Sequence, residues 1–169
     1  ISETAASLAY LVATSRPIPL GYQRLDLAAA VASQAETGDL GINTGRFSQS
    51  ILSLLERGQY PTGSAGSFRE LADVALSLYR STRNFFALHL VTATHALRVV
   101  TPRVLERQAI AAMSGALLAS HLVLGSPRFA AMPLPAPKQL DAEHGLKYLW
   151  TCWSEYQAYG NNAYLEEMA

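Results

Sequence analysis

The stretch Phe85-Phe86-Ala87-Leu88-His89-Leu90-Val91-Thr92-Ala93-Thr94-His95-Ala96-Leu97-Arg98 decides the fold class. Its apolar residues do not alternate as a strand requires. With Val99 and Val100 they cover nearly the whole circumference of a helix. A helix without a solvated face belongs in the middle of a core. Its polar residues then need partners, because an unsatisfied buried polar group costs about 1–3 kcal/mol. At about 100° per residue, Thr92 projects midway between His89 and His95, which lie about 120° apart. One cavity wall can carry His89, Thr92 and His95, with Arg98 a turn beyond His95. Thr92 and Arg98 are the candidate catalytic side chains of this stripe. For each histidine the alternative is an ordinary hydrogen-bonded core residue.

Helical patterning extends outward in both directions. Ser2-Glu3-Thr4 opens a helix that stops before Pro17 and Pro19. Gln23–Ala35 is Ala-rich and helical, closed by Gly38. Phe47–Arg57 predicts a third helix with Ile51, Leu54 and Leu55 buried and Gly58 just past its end. Ser67, with Glu70 three residues on, forms a capping box for a helix through Tyr79. Asn84–Val100 and Arg103–Leu124 follow, separated by Pro102. Pro127, Pro133, Pro135 and Pro137 make a long loop near 126–140 that wraps the surface or covers a site. Asp141 caps a seventh helix to about Tyr159, and Asn161 or Asn162 starts a short last one. The expected fold is all-α: a single domain over 1–169 of about seven to eight packed helices.

Composition narrows the function classes. Half of the 169 residues are apolar and 15% are charged, which is globular rather than disordered. Thirteen cations balance thirteen anions, so no basic surface argues for nucleic acid. The most apolar stretch, Ala109–Gly125, is short for a membrane span and contains Ser114, Ser120 and His121. No basic region precedes an apolar leader. The lone Cys152 reads as a buried structural thiol and suits a reducing, cytoplasmic setting. Because the chain opens on Ile1, a processed product or part of a longer protein is expected. There is no GxGxxG, Walker loop or GxSxG, and Asp26, Glu36, Asp39 and Glu56 show no paired spacing. His121 reads as a core or rim histidine.

Only two of the thirteen cations are lysines, Lys138 and Lys147. Lys147 stands in Asp141-Ala142-Glu143-His144-Gly145-Leu146-Lys147, three residues after His144 and on the same helix face. An ammonium beside an imidazole repels a metal cation. The pair becomes a metal site only if the amine is neutral or converted to a carbamate. A solvated first turn is the alternative.

These two segments, together with Tyr148-Leu149-Trp150 and Glu155-Tyr156, resemble the questin oxidase-like family. That family comprises helical oxidoreductases of fungal polyketide pathways and bacteria, associated with oxygenation and ring opening of anthraquinone-type aromatics. The resemblance implies a mononuclear non-haem iron site with His89, His95, His144 and Lys147 as candidate metal ligands, the lysine as a carbamate. It leaves open which of His89 and His95 binds. The family pattern also has a His-Gly-Leu-Ile-His-like segment ahead of a helix resembling Ser2–Thr14. This chain starts just after that point, so the resemblance implies the C-terminal part of a longer protein, or a second chain carrying the missing histidines. The implied partner molecule is a small aromatic substrate. Two alternatives stand beside the oxygenase. One is an NADPH-dependent Baeyer–Villiger-type oxidase. The other is a non-catalytic helical partner subunit that has lost the metal site.

Overall fold

The computed structural model describes residues 17–37, 46–129 and 140–169. Among them are seven α-helices: α1 Leu27–Thr37, α2 Phe47–Glu56, α3 Phe68–Thr82, α4 Phe85–Val100, α5 Glu106–Val123, α6 Ala142–Tyr159 and α7 Ala163–Glu166. The expected all-α class is what the described residues adopt. The expected helix at Ser2–Thr14 and most of the Pro-rich loop lie outside the described residues.

Local chemistry explains most helix starts. The Ser67 hydroxyl accepts the Glu70 N–H at α3, and the Asn84 side chain accepts the Phe86 N–H at α4. Two starts and one cap differ from the sequence expectation. α1 begins at Leu27 rather than Gln23, because Gln23–Leu25 is extended and pairs with Ser64: Leu25 N–H donates to Ser64 (3.1 Å) and Ser64 N–H to Gln23 (2.9 Å). Arg103–Leu105 is a 3₁₀ turn that leads into α5 rather than the first turn of an α-helix. The third difference concerns the capping box, whose acid is used elsewhere. Glu70 accepts from Leu27 N–H (2.9 Å), Gly66 N–H (2.9 Å) and Arg24 (2.7 Å). It therefore ties the start of α1 to the start of α3.

α5 is the central element, packed on α1, α2, α3 and α4. Its Gly115 sits at a close approach. A Cβ there would stand 3.1 Å from both the Pro61 carbonyl and the Tyr60 ring. The neighbouring Ser114 hydroxyl accepts Ala65 N–H at 2.9 Å, pinning the same loop to α5.

α3 and α4 form a helical hairpin whose turn is Arg83, at φ 48°. A non-glycine residue in the left-handed region is strained unless it is held. Here the Arg83 guanidinium pairs with both oxygens of the buried Glu167, which also accepts Tyr148 Oη–H at 2.9 Å. The residues after α7 are thereby locked onto the hairpin turn. α4 is not buried all round, contrary to its composition. Ala87, Leu88, Leu90, Val91 and Thr94 are buried, while Phe85, Phe86, Val99 and Val100 are exposed at its ends. Phe86 stacks on Phe47 of α2 with ring centroids 4.3 Å apart.

Candidate functional site

α4 and α6 run in the same direction, since His89 meets His144 and, further along both helices, His95 meets Glu155. Their N-terminal turns enclose a small cavity lined by Leu88, His89, Thr92, His144 and Lys147. Four of the six candidate site residues are therefore brought together from two distant stretches of chain.

The histidines are held in defined tautomers. His89 Nδ1 lies 2.8 Å from the Phe85 carbonyl, which can only accept, so Nδ1 carries the proton. His89 Nε2 is left with a lone pair, buried and without a partner. His144 Nδ1 lies 2.6 Å from Asp141 Oδ2, so its Nδ1 proton is committed to that carboxylate, and its ring is partly exposed. The two rings meet edge to face with centroids 5.3 Å apart, and Phe85 packs on both. The Thr92 hydroxyl is shared between the Leu88 (3.4 Å) and His89 (3.2 Å) carbonyls, so its proton is committed to the helix backbone.

Lys147 is paired with Glu143 one turn back on α6. That hydrogen bond holds the Glu143 carboxyl below its ordinary range. The Asp141 carboxyl is likewise held low, first by the His144 N–H and then by the His144 ring.

The cavity measures about 20 Å³. That is room for one water molecule or ion, and too little for an aromatic ring. A second cavity, of about 590 Å³, lies elsewhere, lined by Pro17, Pro19, Leu55, Gly58, Tyr60 and Thr62.

His95 and Arg98 do not line the His89–His144 cavity. They form a separate cluster on Glu155, whose side chain is 1% exposed. Glu155 Oε1 accepts from His95 Nδ1 (2.6 Å), Arg98 Nη2 (2.7 Å) and Arg98 Nε (3.1 Å). The guanidinium also lies over the Tyr159 ring, 5.5 Å from its centroid. Burial pulls the Glu155 carboxyl up, but the bonds from His95 and Arg98 outweigh it and hold the group below its ordinary range. The physical reason for the split is the about 120° between His89 and His95, which turns them toward different parts of α6. Sequence pattern alone assigns Glu155 no role. The available signal is an acid at 155 in register with the buried Tyr148, Thr151 and Cys152.

His121 is fully buried, with Nδ1 2.8 Å from the Gln34 amide and Nε2 2.9 Å from the Pro127 carbonyl. Burial pushes its pKa down, against the raising effect of the Pro127 bond. The ring is thus a core group, as the sequence suggests. Cys152 is buried as expected, and burial pushes its thiol up to about 12.

The donor set fits a metal in part. Two imidazoles with protons on Nδ1 line one ion-sized space, and imidazole nitrogen is a donor type that iron and similar divalent ions accept. The buried, partnerless Nε2 of His89 is the group such an ion would satisfy. Lys147, as an ammonium held by Glu143, offers no lone pair. Among the described residues no group of three or more His, Cys, Asp or Glu side chains is arranged to hold a metal ion. His89 and His144 bring two imidazoles together on this small cavity. No helix among the described residues is long and apolar enough to cross a membrane. Comparison with family models, curated proteins and solved structures finds no match.

Proposed function

We propose that the chain carries half of the non-haem iron site of an oxidoreductase related to the questin oxidase-like family. The substrate is an aromatic polyketide of the anthraquinone type, and the reaction is oxygenation or ring cleavage. The observation that carries the proposal is the pairing of His89 and His144. They come from separate helices, line one ion-sized cavity, and each has its Nδ1 proton committed elsewhere. Bound there, iron would supply the redox and oxygen chemistry.

The chain's own residues hold and orient. The Phe85 carbonyl and Asp141 fix the two imidazole tautomers, the usual outer support of a metal-ligating histidine. Thr92 lines the cavity while its proton goes to the backbone. In this proposal Lys147 becomes a ligand by addition of its neutral amine to carbon dioxide. A C–N bond forms, a proton leaves, and the ammonium is replaced by an anionic carbamate. That step requires Lys147 to leave Glu143. The about 20 Å³ of space seats an ion alone, so the aromatic substrate binds at the cavity mouth. The remaining ligands come from a further segment or chain. A cytoplasmic setting, where Cys152 stays reduced, belongs to the same proposal.

A second reading is a helical partner subunit that has lost its metal. The observation in its favour is that among the described residues no group of three or more potential ligands comes together. Anaerobic loading of the purified chain with iron(II), followed by metal analysis, separates the two. Bound iron that disappears in His89→Ala and His144→Ala, with helicity retained, supports the half-site. A folded chain that retains no iron overturns it. NADPH oxidation stimulated by an anthraquinone would point instead to the Baeyer–Villiger-type alternative.

A further inference from the structure

Asp141 does two jobs with one carboxylate. It stands at the N-cap of α6 with extended backbone, φ −58° and ψ 158°. Oδ1 accepts the backbone N–H groups of Glu143 (3.1 Å) and His144 (3.0 Å). Oδ2 accepts Nδ1–H of the His144 ring at 2.6 Å. The same residue therefore starts the helix and selects the ring tautomer three residues later.

We infer that Asp141 is the positioning residue of the half-site, presenting the His144 Nε2 lone pair to the cavity only when the first turn of α6 is formed. The inference rests on the half-site proposal for its metal consequence, but not for its structural one. The two roles are separable by chemistry. Asparagine and serine cap helices about as well as aspartate. An asparagine amide nitrogen, however, donates where the carboxylate accepted. Facing it, the ring lowers its energy by accepting at Nδ1 and moving its proton to Nε2. The lone pair aimed at the cavity is then lost while the helix start is kept. Serine keeps the cap and leaves the ring without its partner.

The test is ¹⁵N NMR of the His144 ring in the metal-free full chain at mildly alkaline pH, where imidazole is neutral. Alongside it, cobalt(II) affinity is measured by titration. In the unaltered chain His144 is expected as the Nδ1–H tautomer. Asp141→Asn should convert it mainly to the Nε2–H tautomer, and Asp141→Ser should shift it the same way. Both should keep the helicity of α6 and weaken cobalt binding about 10–100-fold. An Nδ1–H tautomer persisting in both variants overturns the inference. So does unchanged cobalt affinity in a chain that binds cobalt. If the unaltered chain binds no cobalt, the half-site proposal fails by itself, and the tautomer result still decides whether Asp141 positions the ring.

Discussion

His95 Nδ1 lies 2.6 Å from Oε1 of the buried Glu155. This contact, with the two bonds from Arg98 to the same oxygen, accounts for His95 and Arg98 in the C-terminal half of α4. It also separates them from the cavity at the N-terminal half.

Removing the shared acceptor strands both donors. Glu155→Ala should lose about 3 kcal/mol of stability, since it leaves a partly buried guanidinium without its counter-ion. Urea unfolding monitored by circular dichroism measures this. Glu155→Gln keeps the shape and should lose less. Neither variant should change metal binding at His89 and His144. A loss of that binding in a folded Glu155→Gln would mean that the two clusters are one.

Stability should fall with acid in two stages. The His121 pKa is below 6.5 in the folded chain. The unfolded chain therefore binds more protons as pH falls through 6.5, and stability rises with pH there. The Glu155 carboxyl is held below 4.5. Its contribution is present above 4.5 and lost as pH falls toward the folded pKa. Urea midpoints measured across both windows check this. Replacing His121 with a residue that cannot titrate should flatten the upper stage only.

The Cys152 thiol is fully buried and pushed up to about 12. It should not react with a thiol reagent in the native chain, and one equivalent should react in urea. Rapid native labelling would place the thiol at the surface.

Gly115→Ala puts a methyl group 3.1 Å from the Pro61 carbonyl and the Tyr60 ring. The Pro61 carbonyl and the Tyr60 ring must give by a few tenths of an ångström, and a small loss of stability, about 1 kcal/mol, is expected. Melting curves, compared with an alanine at Gly145, where the nearest atom is 3.7 Å away, isolate the effect.

How much of the site is legible in the sequence depends on range. The Asp141 and Ser67 caps and the shared face of His144 and Lys147 follow from spacing within a turn or two. Glu70 shows where such spacing stops. It sits three residues after Ser67, yet its carboxylate goes to Arg24 and Leu27, because segment 23–25 runs alongside Ser64. α4 illustrates the same limit. Its composition has no polar face, but Phe85 at its start and Val100 at its end are exposed.

By itself the sequence determined the helical class, the helix starts set by local caps, and the stripe on α4, since these depend on periodicity and on hydrogen bonds within a turn. Only the tertiary structure decided how that stripe divides. His89 and His95 differ by about 120° around one helix. The parallel packing of α6 gives the first His144 and the second Glu155. A one-dimensional pattern records the angle between two side chains. Which partner waits at each angle is set by the helix packed against them.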